Sequence, residues 1–199
     1  MKLTDNDMDD SMPTDESLML SYSKGDVSSF DVLYSRHKHP LYRYFVRQVA
    51  NPDLAHDLYQ ECWSKIINAA SSYTRQSKWT TWAYRIAHNL VIDHYRVLKP
   101  IDAEEDIETT SSAPDLVHDQ QELAKQLKHC MGHLPAVQLE VFILSQETDF
   151  TLKMISKVVD ASHEAVKTRL RYARTALQHC LSKFGISPAS GSTSSELSP

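Results

Sequence analysis

Apolar residues recur every three or four positions in long runs on either side of an acidic stretch at about residues 100–118, the beat of helices that each bury one side. The stretch "DESLMLSYSKGD" predicts a short helix closed near Gly25. A longer one follows from about Ser28 to Ala50, with Pro40 inside it as an expected kink. Asn51 is placed to cap a third helix, with Pro52 in its first turn and a stripe of Ala55, Tyr59, Cys62, Trp63, Ile66 and Ala70. After the loop "SSYTRQSK", the segment "WTTWAYRIAHNLVIDHYR" aligns Trp79, Ala83, Ile86, Ala87, Leu90, His94 and Val97 on one side. Farther on, helices are predicted near Asp119 to Gly132, from Pro135 through "PAVQLEVFILSQE", and in a short piece from Thr151. A turn at Asp160 and Ala161 leads to a long helix capped by Ser162, with Val166, Leu170, Ala173, Leu177 and Cys180 as its stripe. Short helix, turn and long helix in that order have the spacing of a helix-turn-helix.

The polar sides carry the chemistry. On the third helix Asp53, Asp57, Gln60, Glu61 and Ser64 share one face, which repels phosphates and suits a basic or polar protein surface. Opposite the stripe of the fourth lie Thr81, Arg85, His88, Asn89, Ile92 and Arg96, flanked by Trp82 and Asp93. That mixture of cations, hydrogen-bonding groups and aromatics is odd for a merely solvated surface. On the long helix Glu164, Lys167, Thr168, Arg171 and Thr175 point away from the core, as base-reading and phosphate-binding groups do near the start of a recognition helix.

A net charge of −5 argues against nucleic acid until it is divided along the chain. Residues 25 to 99 hold ten Lys and Arg against six Asp and Glu, and residues 123 to 184 hold nine against five, so each block is +4. Residues 100 to 122 carry eight acids and neither Lys nor Arg. The acidic, Ser/Thr-rich run "KPIDAEEDIETTSSAPDLVHDQ" reads as a linker, and "GISPASGSTSSELSP" as a disordered tail. The expected fold class is therefore all-α: two small helical domains, 14–99 and 119–184, joined by a flexible acidic linker, 100–118, with the helix-turn-helix in the second and a tail at 185–199.

In this order the segments resemble the bacterial sigma-70 family of RNA polymerase sigma factors, in particular its small two-domain extracytoplasmic-function (ECF) group. The likeness runs from roughly Ser17 to Leu181. "DLYQECWSKI" is similar to the segment that binds core RNA polymerase, which implies that Asp53, Asp57, Gln60, Glu61 and Ser64 meet the clamp helices. "WTTWAYRIAHNLVIDHYR" resembles the helix that melts and reads the minus-10 element. The resemblance assigns Arg75, Lys78, Trp82, Arg85, His88, Asn89 and Arg96 to that DNA, and the loop from Ser71 to Lys78 to an extruded base. "LPAVQLEVFIL" and "SHEAVKTRLRYAR" resemble the minus-35 reading domain, with Ser162, His163, Glu164, Lys167, Thr168 and Arg171 as its contacts. The implied partners are core polymerase, through the clamp helices and flap of its large subunits, promoter DNA both duplex and melted, and an anti-sigma factor. Two places depart from the family pattern. Asp160 and Ala161 stand where a glycine-like residue and an aliphatic one are usual, and Ser156 and Lys157 where small and acidic residues are common.

Other classes leave more of the chain unused. His37, His56, Asp57 and Asp93 would have to converge for a metal-dependent phosphohydrolase, yet Asp57 and His56 point about 100° apart. "HCMGH", His129 to His133, supplies two or three ligands of a zinc site and no more. A helix-turn-helix regulator that never binds polymerase would use only the second domain. No nucleophile, phosphate loop or acid–base pair stands in a convincing setting, so no catalysis and no cofactor are expected. Cys62, Cys130 and Cys180 are odd in number and widely spaced, which reads as reduced, packed thiols. Neither a spanning apolar run nor a signal peptide is visible, so the expected location is the cytoplasm, without membrane insertion.

Overall fold

Eight α-helices run through the described residues of the computed structural model, which are 12–49, 51–98, 120–147 and 149–186. They are α1 (Asp15–Tyr22), α2 (Val27–Gln48), α3 (Pro52–Asn68), α4 (Trp79–Leu98), α5 (Gln120–Met131), α6 (Ala136–Glu147), α7 (Leu152–Val158) and α8 (His163–Ser182). The expected linker lies outside the described residues, as does the expected tail beyond Ile186. Helix starts follow local chemistry. Thr14, Asp26, Asn51, Thr151 and Ser162 each accept a backbone N–H of the first turn they precede. Caps of this kind contribute about 1 kcal/mol apiece. Helix α2 continues across Pro40 to Gln48.

The first four helices share a core of Met19, Leu33, Leu41, Phe45, Cys62, Ile66, Trp79, Ala83 and Ala87, all shielded from solvent. Trp79 lies at its centre, 4.4 Å from the His37 ring and 6.4 Å from Trp63. Helix α1 is fastened to α2 by Asp15, which accepts from Arg36 at 2.9 Å and lies 2.7 Å from His37 Nε2. Burial disfavours the charged Asp15 carboxylate, but the hydrogen bonds and charges of His37 and Arg36 prevail and hold its pKa below the ordinary value. Glu16 reaches α4 from the same helix, accepting the Trp79 backbone N–H at 2.8 Å.

In the second half, α5 lies along α8 around Cys130, Leu134, Ala173 and Leu177. Here the sequence reading of the thiols is corrected: Cys130 and Cys180 form a disulfide across a sequence separation of 50, with Cα atoms 5.8 Å apart. Both occupy the apolar stripes of helices that pack together, so wide spacing in sequence becomes contact in space. Cys62 remains free and buried, and burial pushes its thiol up to about 12. Between α7 and α8 the turn residue Asp160 has φ 47°, the left-handed conformation that glycine adopts without steric cost.

The two halves are not independent bodies. Val141, Ile143 and Leu144 of α6 join Tyr44, Phe45, Tyr84, Leu90 and Val91 in one continuous apolar cluster. Helix α6 is apolar nearly all round because it is covered by α2 on one side and α8 on another. Helix α4 is likewise packed by α1, α2, α3 and α7. This corrects the outward placement of Thr81, which is only 5% exposed.

Candidate polymerase and nucleic-acid interfaces

On α3, Asp53, Asp57, Gln60, Glu61 and Ser64 are all exposed on one side, as their spacing requires, while Ala55, Leu58, Cys62, Trp63 and Ile66 are buried on the other. Glu61 pairs with Lys65 one turn on at 3.3 Å, and Gln60 lies 2.7 Å from His56 Nε2. Exposed pairs of this type contribute a few tenths of a kcal/mol. They leave the face free to exchange partners.

Helix α8 buries Val166, Leu170, Ala173 and Leu177 and exposes Ser162, His163, Glu164, Lys167, Thr168 and Arg171. Lys167, Thr168 and Arg171 form a cationic, hydrogen-bonding ridge along its first turns. The Arg171 guanidinium sits 5.1 Å from the Tyr172 ring. The Ser162 hydroxyl accepts the Ala165 N–H at 3.1 Å, so its oxygen is already engaged as a cap.

The seven residues assigned to minus-10 DNA divide into three groups. Arg75 and Lys78 project from the exposed loop before α4. Beside them Trp82 is half-buried, its ring 5.1 Å from the buried Tyr73, whose hydroxyl donates to the Ser77 carbonyl at 3.3 Å and tightens the loop. Asn89 and Arg96 are exposed farther along, Arg96 lying 3.5 Å from Asp93. Arg85 and His88 point toward the second half instead. Arg85 is 4.0 Å from Asp160 at the turn of the helix-turn-helix, and His88 Nδ1 is 2.7 Å from Glu140 of α6. Tyr44 donates its hydroxyl to the same Glu140 oxygen at 2.7 Å. Burial, reinforced by the Glu140 charge, pushes the Tyr44 phenol well above its usual range.

Glu140 is the residue the sequence reading passed over. It is the lone acid between Ala136 and Gln146, in a helix of otherwise high apolarity, and that isolation is the signal that could have found it. The residues weighed for metal chemistry have other neighbours. His37 is with Asp15, His56 with Gln60 and Asp93 with Arg96, while Cys130 of the "HCMGH" cluster is consumed by the disulfide.

Residues 33–100 match the Sigma-70 region 2 family and residues 130–179 the Sigma-70, region 4 family. The ECF RNA polymerase sigma factor SigW of Bacillus subtilis (strain 168) is 28% identical over 168 residues, covering 78% of this chain and 90% of that one. The RNA polymerase sigma-H factor of Pseudomonas aeruginosa is 25% identical over 180 residues, covering 84% and 93%. Among solved structures, CnrH in complex with the cytosolic domain of CnrY has a similar fold, with a TM-score of 0.66 at 21% identity, covering 85% of this chain and 97% of that one. The sigma factor RpoE of Bartonella quintana, in complex with the anti-sigma factor NepR, has a TM-score of 0.61 at 20% identity, covering 77% and 96%. With region 2 and region 4 matched in order over most of the helical chain, the protein belongs to the sigma-70 family of RNA polymerase sigma factors, in its ECF group.

Proposed function

We propose that this sigma factor binds core RNA polymerase through the acidic face of α3 and directs it to promoters through α4 and α8. The observation that carries this reading is the separation of charge by face. Asp53, Asp57, Gln60, Glu61 and Ser64 are presented on one helix, and Lys167, Thr168 and Arg171 on another, so the two partners need not compete. Residues 14–99 form the polymerase-binding and minus-10 domain, 100–118 the linker, 119–184 the minus-35 domain and 185–199 the tail. An anti-sigma factor is the fitting regulator, since both structural neighbours hold partners: CnrY in one case and NepR in the other.

Promoter opening follows from elementary energetics. Extruding a base costs a few kcal/mol, and stacking it on an aromatic surface returns about 1–3 kcal/mol. The loop from Ser71 to Lys78 receives the base and the half-buried Trp82 beside it offers that surface, while Arg85, Asn89 and Arg96 hold the neighbouring duplex and phosphates. The protein lends specificity to the polymerase's active site and carries out no reaction of its own. It acts in the cytoplasm, where polymerase and promoter are; among the described residues no helix is long and apolar enough to cross a membrane.

The test is run-off transcription by purified core polymerase on a pool of genomic promoter fragments at fixed salt. Start sites that appear only with this protein support the reading. Failure to bind core or to direct initiation under any salt condition sinks it.

A further inference from the structure

We propose that Glu140 is a latch that holds the two DNA-reading halves together in a form unable to read a whole promoter, and this inference rests on the sigma-factor reading above. Glu140 is 6% exposed in the middle of an apolar helix. A buried carboxylate is strongly disfavoured unless hydrogen-bond donors surround it. Both of its partners, the Tyr44 hydroxyl and the His88 ring, come from the other half of the molecule, each at 2.7 Å. Its burial is therefore tolerable only while the halves are closed. His88 belongs to the helix assigned to minus-10 DNA, and one turn away Arg85 faces Asp160, just before the helix assigned to minus-35 DNA.

The closed arrangement packs the minus-10 helix α4 against α7, the first helix of the helix-turn-helix, so the two DNA-reading halves are held in contact. Elements about 25 base pairs apart on B-form DNA are separated by about 85 Å at 3.4 Å per pair. The closed form cannot reach both. About 20 residues join α4 to α5, a length that spans up to about 70 Å when extended, so the halves can part without unfolding. Parting frees His88 and Arg85 for DNA and returns Glu140 to water. The apolar surfaces of α6 and Tyr84, the latter 5.2 Å from the Phe150 ring, then require a new cover such as the polymerase surface.

The latch is tested on the full chain with Glu140→Lys and Tyr44→Phe, using small-angle scattering and hydrogen exchange of α4 and α6, with circular dichroism as the folding control. Glu140→Lys brings a cation against His88 and is expected to enlarge the radius of gyration and speed exchange along the facing sides of α4 and α6. Tyr44→Phe removes a single hydroxyl and is expected to raise exchange at the same places about tenfold, the effect of one hydrogen bond to a charged group. It keeps the test decisive if the lysine variant loses its helices. Run-off transcription at limiting core polymerase is expected to rise for the opened variants. Unchanged scattering and exchange in both variants overturn the latch while leaving the sigma reading intact. Opening without a gain in transcription overturns the inhibitory role. Absence of start sites for every form, wild type included, removes the sigma reading and with it any activity to inhibit.

Discussion

Replacing Cys130 and Cys180 by alanine, or reducing the wild type, should loosen the second half far more than the loss of two sulfur contacts suggests. The bond closes a loop of sequence separation 50, and chain entropy over such a loop is worth about 4 kcal/mol. The core it reinforces is small, with Cys130, Leu134, Ala173 and Leu177 as its buried members and Leu127, Met131, Phe142 and Leu181 half-buried around them, so one covalent link is a large share of what fastens α5 to α8. With a urea slope of about 2.5 kcal/mol per molar for a chain of this size, the midpoint falls by about 1.5 M. Circular dichroism should report the change. Tryptophan fluorescence reports chiefly on the first half, because Trp63, Trp79 and Trp82 all lie there. Thiol counting provides the control. Of three cysteines, one should titrate in denaturant without reductant and three with it. In the native state none should react quickly at pH 8, since Cys62 is buried and its pKa is pushed up to about 12. Three thiols without reductant, or a midpoint indifferent to reductant, would refute the reasoning.

Four further outcomes are expected. Trp79→Ala, at a site with no solvent exposure, should cost about 3–5 kcal/mol in denaturant unfolding, whereas Trp82→Ala should chiefly impair promoter opening, read by permanganate reactivity of unpaired thymines. Asp160→Val should destabilise by about 1–2 kcal/mol because a β-branched residue is forced into the left-handed region, while Asp160→Gly should not; equal midpoints for the two would argue against strain there. Glu61→Lys should weaken core binding by titration with labelled polymerase and leave the unfolding midpoint within about 0.5 kcal/mol. Finally, Asp15 has a depressed pKa in the folded state, so its stabilising contribution is present above its unfolded value of 3.8 and is lost as pH falls through the folded value; Asp15→Asn should flatten that part of the acid-unfolding curve.

Helix periods and caps made the elements legible. Asn51 before Pro52, Ser162 before His163 and the stripes of α3 and α8 are local signals, and the helices start where those signals stand. The exposed faces of α3 and α8 followed from the same period. What local pattern could not convey was contact between distant elements. Thr81 lies opposite Trp79's stripe by angle alone, yet α4 is packed by four other helices and that side is closed. The face of His88 on α4 predicts a DNA contact, yet its ring lies within hydrogen-bond distance of a carboxylate 52 residues away. Spacing along a chain says little about which stripes meet, so the pairing of Cys130 with Cys180 is not visible in sequence.

The Trp79 amide is satisfied by Glu16, 63 residues earlier in the chain. A carboxylate at a helix start neutralises unpaired N–H groups and suits the positive end of the helix dipole, together worth about 1 kcal/mol. The start of α4 is therefore set by a residue outside every segment assigned to DNA or polymerase. A chain lacking residues 1–18 would keep all of α4 yet lose both Glu16 and the Asp15 clasp, and with them the docking of α1.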